Sequence, residues 1–213
     1  MYLRITDRCN MCCAHCCYAC TSKGADMSEE IFRKAVDLCE ANGDLLSIGG
    51  GEPTIHPLFW PFIGYAIGKQ IESIWLATNG KETRTALALA KMAKAGVIGV
   101  DLSQDMWHEP IDPRVVEAFK RDENRMYGER SDDLRAIRTT SSPVRSGRWK
   151  EDNDHGILCP CEEIVVNPDG TVRQCGCLRS PVIGSVFTGF KAARNGDGDP
   201  ACYRSLKKKN RAA

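Results

Sequence analysis

The residues best suited to chemistry in this chain are its cysteines. There are twelve among 213 residues, and they fall into two groups. The first holds Cys9, Cys12, Cys13, Cys16, Cys17 and Cys20; the second holds Cys159, Cys161, Cys175, Cys177 and Cys202, with Cys39 alone between them. Within the first group, Cys9-x3-Cys13-x2-Cys16 places three thiols in one short stretch. Three thiolates can hold three irons of a cubane and leave the fourth iron open to a ligand. The same stretch also parses as Cys9-x2-Cys12, Cys13-x2-Cys16 and Cys17-x2-Cys20, a pattern that suits zinc. Under the cubane reading, Cys12, Cys17 and Cys20 are left for packing or outer contacts.

A second feature is Gly49-Gly50-Gly51-Glu52-Pro53-Thr54. Glycines here let the backbone approach a ligand more closely than a side chain would permit. Glu52 either meets that ligand or braces the loop through hydrogen bonds. Thr78-Asn79-Gly80 and Ser103-Gln104-Asp105 close the next two apolar runs, and Trp107-His108-Glu109 follows. A histidine such as His108 can exchange protons with a substrate, or simply sit exposed in a loop.

These groups need elements to position them. Tyr2 to Thr6 reads as a strand leading into the first cysteines. Ser28 can cap a helix bearing Ile31, Phe32, Ala35, Val36, Leu38 and Cys39 on one apolar face, which makes Cys39 a core residue. Asn42-Gly43 ends that helix, and Leu45 to Ile48 is a strand running into the three glycines. A helix around Leu58 to Ile67, a strand Ser73 to Ala77, a helix through Leu87 to Met92 and a strand Ile98 to Leu102 continue the alternation. Such alternation implies parallel βα units whose ligand sites lie at the C-terminal strand ends. A helix near Pro113 to Arg121 closes this part. From Arg121 to Asp154 the chain is highly charged, and reads as a disordered connector or a lid. Ile164 to Val166, Asn167-Pro168-Asp169-Gly170 and Thr171 to Arg173 then read as a β-hairpin flanked by cysteines, a separate metal-braced appendage.

The composition bounds these readings. Hydrophobic residues at 42% and charged residues at 27% describe a globular protein, and a net charge of +1 gives no overall pull toward nucleic acid or membrane. Arg204, Lys207, Lys208, Lys209 and Arg211 form a local basic tail, read as a solvated terminus. No apolar run approaches the ~20 residues of a membrane helix, and no secretory signal is present. The cysteines are therefore read as metal ligands in a reducing cytoplasm rather than as disulfides.

The stretch Arg8-Cys9-Asn10-Met11-Cys12-Cys13-Ala14-His15-Cys16, followed by Gly49-Gly50-Gly51-Glu52, resembles the radical S-adenosylmethionine superfamily. The resemblance implies a partial (β/α) barrel, an α/β fold. It further implies a 4Fe–4S cluster on Cys9, Cys13 and Cys16, with S-adenosylmethionine on its open iron. Gly49, Gly50, Gly51 and Glu52 would meet the cosubstrate amino group. Thr78, Asn79, Ser103, Gln104 and Asp105 would face its remaining parts or the substrate. The chemistry implied is reductive cleavage to a 5′-deoxyadenosyl radical, with electrons from a donor such as flavodoxin or ferredoxin. Cys159 to Cys202 resembles the opening of the SPASM and twitch domains, which implies an auxiliary 4Fe–4S cluster held by four of Cys159, Cys161, Cys175, Cys177 and Cys202. A structural zinc site is the alternative there.

The expected organisation is a barrel core over 1–120, a charged connecting or lid segment over 121–156, and a small cysteine-rich hairpin domain with a basic tail over 157–213. Because the first strand begins at Tyr2, no leader-binding domain is expected ahead of it, and the substrate expected is a small molecule or a nucleoside. Modification of a peptide or protein, activation of a glycyl-radical enzyme, and modification of a nucleic-acid base are the alternatives. A non-catalytic iron–sulfur or zinc-binding module is the alternative of another class.

Overall fold

Alternation in Tyr2–Thr6 buries Leu3 and Ile5 on one face, and this strand, β1, lies in the middle of a nine-stranded sheet. The computed structural model describes residues 1–104, 106–120, 134–136, 163–176 and 180–191. The strands after β1 are β2 (Leu46–Gly50), β3 (Ile74–Thr78), β4 (Gly99–Leu102), β5 (Leu134–Ala136), β6 (Val165–Val166), β7 (Thr171–Arg173), β8 (Val182–Ser185) and β9 (Gly189–Phe190). Their order in the sheet is β5-β4-β3-β2-β1-β6-β7-β8-β9. Pairings from β5 across to β6 are parallel, and those from β6 to β9 are antiparallel.

Helices connect the parallel strands, as amphipathic segments between buried strands must. In α1 (Glu29–Asn42), the Ser28 hydroxyl accepts from the Ile31 N–H at 3.3 Å, and Gly43 at φ +66° ends the helix in the left-handed region. Its Phe32 stacks on Phe62 of α2 (Phe59–Ile67), with ring centroids 3.9 Å apart. The helices α3 (Thr83–Lys94) and α4 (Pro113–Ala118) complete the layer, with Asp112 capping α4. One core runs beneath them, from Leu3, Ile5 and Ile48 through Leu76 and Leu89 to Val100 and Phe119, and Cys39 is buried within it.

The α/β partial barrel is thus the observed architecture. Two features go beyond the sequence reading. The charged stretch after α4 contributes a fifth parallel strand, β5, whose Val100↔Leu134 register extends the sheet. The hairpin β6–β7 is joined to the barrel sheet, because Tyr2 and Leu3 pair with Val165 and Val166. The boundary near residue 156, the remainder of the charged stretch and the basic tail lie outside the described residues. No described helix is long and apolar enough to cross a membrane.

Candidate functional site

The first cysteine group occupies a loop that leaves the C-terminal end of β1 and returns beside it. Its neck is pinned by Asp7 N–H to Ala25 C=O at 2.8 Å and Cys9 N–H to Thr21 C=O at 2.7 Å. Arg8 and Asp26 form an ion pair at 2.8 Å across the same neck. Inside the loop, Cys16 N–H bonds Cys13 C=O and Ala19 N–H bonds Cys16 C=O, each at 3.2 Å, so the chain turns twice. Ala19 takes φ +53°, a strained choice for a residue with a Cβ, and carries the chain on to buried Cys20.

Cys9, Cys13 and Cys16 are half-buried, unbridged thiols on this loop. Burial pushes the Cys9 thiol up, while the Met11 N–H (3.4 Å) and the Asn79 side-chain amide (3.7 Å) oppose that rise by donating to its sulfur. A thiol in this setting is neutral until a metal ionises it. Among the described residues no three His, Cys, Asp or Glu side chains converge on a point for one ion. A cubane asks instead for thiolates spread over separate irons.

The three glycines lie against β1 and the start of that loop: Gly49 against the Tyr2 side chain, Gly50 against Thr6 and Gly51 against Arg8. A Cβ on Gly50 would sit 2.4 Å from the Thr6 carbonyl oxygen, and one on Gly51 would sit 2.1 Å from that of Arg8. The same approach allows Gly51 N–H to reach Thr6 C=O and Glu52 N–H to reach Arg8 C=O, both at 2.8 Å. The glycines are therefore required first by the close packing of β2 and its turn on β1 and the start of the cysteine loop, in addition to any approach to a ligand.

Glu52 is 1% exposed, and its carboxylate collects four donors. One oxygen accepts from the Thr54 N–H (3.2 Å), the Thr54 hydroxyl (2.5 Å) and the Thr78 hydroxyl (2.8 Å); the other accepts from the Asn79 N–H at 2.7 Å. Burial raises its pKa against these bonds, which favour the charged form. Of the two roles open from sequence, bracing is the one the geometry displays: Glu52 ties the end of β2 to the end of β3. Thr78 in turn accepts from the Gly80 N–H at 3.1 Å.

At the end of β3, Asn79 reaches toward Cys9 and donates to the Asn10 side-chain oxygen at 2.9 Å. Asn10 donates to Glu82 at 3.1 Å, and Lys81 donates to the Asn10 carbonyl at 2.7 Å. At the end of β4, the Ser103 N–H bonds Thr78 C=O at 2.8 Å, and the buried Oε1 of Gln104 has no hydrogen-bond partner among the described residues. An orphaned buried acceptor on this rim is what a bound polar ligand would satisfy. Beyond it, the His15 ring lies 5.3 Å from Trp107 and 4.8 Å from His108, so the post-β4 loop rests on the cysteine loop.

Eleven of the seventeen sequence-selected residues, Ser103 and Gln104 among them, therefore lie at the C-terminal ends of β1 to β4. Cys175 is buried after β7, with its N–H on the Ser180 hydroxyl at 3.0 Å. Its neighbour Gly176 faces the first loop, since a Cβ there would meet the Tyr18 hydroxyl at 2.9 Å. Asp105, Cys159, Cys161, Cys177 and Cys202 lie outside the described residues. Sequence reasoning quoted Thr54 within the glycine motif without giving it a role, and left out Lys81 and Glu82. Position just past a strand end was the available signal for the latter two.

Three kinds of similarity bear on this site. The curated relatives include a mycofactocin maturase, MftC, from Mycobacterium ulcerans, 30% identical over 105 residues, which is 47% of this chain and 27% of that protein. The tungsten-containing aldehyde ferredoxin oxidoreductase cofactor-modifying protein of Pyrococcus furiosus is 33% identical over 112 residues, 48% of this chain and 28% of its own length. The antilisterial bacteriocin subtilosin biosynthesis protein AlbA of Bacillus subtilis is 34% identical over 120 residues, 54% of this chain and 25% of its own. The matched part thus spans about a quarter of each relative. In fold, the chain resembles BtrN in complex with AdoMet and 2-DOIA, with TM-score 0.57 at 15% identity over 87% of this chain and 77% of that one. It also resembles anSMEcpe with bound AdoMet and a peptide, with TM-score 0.52 at 15% identity over 87% and 76%. The sequence profile of the Radical SAM superfamily matches residues 3–128. With more than half its length matched, the chain belongs to the radical S-adenosylmethionine superfamily, an enzyme family that works through a 4Fe–4S cluster and S-adenosylmethionine.

Proposed function

We propose that this protein cleaves S-adenosylmethionine reductively and directs the resulting radical at a C–H bond of a peptide or peptide-derived substrate. The observation that carries the reading is the docking of the Cys9–Cys16 loop onto the glycine turn and the β3 end, which gathers thiols and polar groups on one rim. Cys9, Cys13 and Cys16 would hold the cluster, which, once reduced by an external one-electron donor, would pass on the electron that breaks the S–C5′ bond to give methionine and the 5′-deoxyadenosyl radical. The chain's own residues bind and orient. Gly49 and Gly50 keep β2 flush with β1, Gly51 keeps the turn flush with the start of the cysteine loop, Glu52 fixes the turn to β3, and Asn79 braces Cys9 and Asn10. Ser103 and Gln104 would offer polar contacts to the cosubstrate or substrate. The names of the relatives, a maturase and a bacteriocin biosynthesis protein, favour peptide chemistry over the small molecule or nucleoside expected from sequence.

A second iron–sulfur cluster on four of Cys159, Cys161, Cys175, Cys177 and Cys202 belongs to the same proposal. Its support is the burial of Cys175 beside a glycine that meets the first loop. The test is anaerobic reconstitution followed by dithionite and S-adenosylmethionine, with iron counted and 5′-deoxyadenosine followed. About eight irons, and product from the unmutated chain but not from Cys13→Ala, is the expected result. About four irons with turnover would remove the second cluster. Zinc without cleavage would remove the enzyme reading. Adding candidate peptides and small molecules to the active protein then separates the substrate classes by mass change.

A further inference from the structure

The two spacers between the proposed ligands are held by different means. The shorter, between Cys13 and Cys16, holds itself through the Cys16 N–H to Cys13 C=O turn. The longer, Asn10-Met11-Cys12, is gripped from outside at both ends. At its start, the Lys81 ammonium donates to the Asn10 carbonyl at 2.7 Å. At its end, the Cys12 N–H donates to a Glu109 carboxylate oxygen at 3.3 Å. The other Glu109 oxygen accepts from Lys81, closing a ring of contacts around the spacer. Lys81 follows β3 and Glu109 follows β4, so the ring ties two strand ends to the loop.

We infer that Lys81 and Glu109 are positioning residues, which set the separation of Cys9 from Cys13 before any cluster is bound. The inference rests on the ligand assignment proposed above. An isolated surface ion pair contributes little, and these side chains are 38% and 44% exposed. Here, however, each charge also bonds loop backbone, and charge-assisted bonds in a closed network are stronger than separate pairs. The contact between them is geometric rather than sequence-local: Cys12 and Glu109 are 97 residues apart. Met11, buried at the middle of the spacer, gives the third fixed point.

The full-length chain is compared with Lys81→Met, Glu109→Ala, the double variant and Lys81→Arg. Hydrogen exchange at the Cys12 amide is read by NMR in metal-free protein, and decay of the S-adenosylmethionine-responsive EPR signal under a chelator is read in reconstituted protein. Exchange about tenfold faster in Glu109→Ala is expected, with severalfold faster signal decay in both single variants. The double variant should be no worse than Glu109→Ala, because the two residues act as one unit. Lys81→Arg should restore unmutated decay, which a loss of general stability would not predict. Unchanged exchange and unchanged decay in both single variants, or additive losses in the double variant, would overturn the inference. An unmutated chain that takes up no iron would instead overturn the cluster assignment beneath it, and the exchange arm distinguishes the two failures.

Discussion

Around the first cysteine group, the bonds that shape the site join residues far apart in the chain. Glu52 reaches Thr78 and Asn79 across 26 and 27 residues, Asn79 reaches Asn10 across 69, and Glu109 reaches Cys12 across 97. Around Cys175 the turn is shaped by local bonds, although Asn167 also accepts from Arg4, 163 residues away. Asp169 accepts from Thr171 two residues on, Asn167 from its own side donates to Thr171 four on, and Cys175 donates to Ser180 five on. The parallel half of the sheet thus builds a site from several strand ends at once, while the antiparallel half, anchored to β1 through β6, shapes its turns mainly through near neighbours in sequence.

The largest effect should come from Glu52→Ala. It strands the buried Thr78 hydroxyl and Asn79 N–H and releases both half-buried Thr54 donors, and unfolding of the metal-free protein in urea should show a loss of about 3–5 kcal/mol, together with loss of S-adenosylmethionine cleavage. Gly51→Ala comes next. Its Cβ meets the Arg8 carbonyl, and the misfit should cost about 1–3 kcal/mol by the same assay. In the antiparallel half, Gly189 has a φ of +79° but no atom within 4 Å of a new Cβ, so Gly189→Ala should cost only the backbone strain, about 1 kcal/mol. Asp169→Ala removes turn bonds alone and should stay within about 1 kcal/mol, with cleavage intact. If Asp169→Ala matched Glu52→Ala in either readout, the contrast between the two halves would be wrong.

A pH titration sharpens the same contrast. His56 is buried, with Nδ1 accepting from the Leu58 N–H and Nε2 on the Met27 carbonyl, each at 3.0 Å. Burial lowers its pKa below the ordinary 6.5, so the folded state resists a proton that the unfolded chain accepts. Stability contributed by neutral His56 is present above pH 6.5 and is lost as pH falls toward the depressed folded value. The melting temperature of metal-free protein should fall over that window, and His56→Leu should flatten the slope at the cost of a lower plateau.

Most of the parallel half was legible because its segments are long enough to show a period. Ser28, Gly43 and the apolar face of α1 stand where capping rules put them. The strand Leu134–Ala136 was not legible, since three residues flanked by charges carry no measurable alternation. The cysteine spacing and the glycine run marked the site. They could not show that Gly50 and Gly51 are pressed against Thr6 and Arg8, because that approach depends on how β2 lies beside β1. Lys81 was passed over, and Glu109 was noted beside His108 without a role, for a related reason: half-exposed charges look like solvated surface until their partners are located.

The placement of β1 has a consequence for how the molecule is made. One side of this strand pairs with β2, completed early, and the other waits for β6; Arg4 and its partner Asn167 are 163 residues apart. At ~5–20 residues per second, a ribosome needs about ten to thirty seconds to supply that second neighbour. During this interval the nascent sheet presents an open edge carrying the cysteine loop, the kind of edge that recruits stray strands. Closing it late also means closing a very long loop, an entropic cost that grows only logarithmically with length but slows the search. Assembly of the nascent chain, rather than stability of the finished one, is then the stage at which the cysteine loop is most exposed to misassociation.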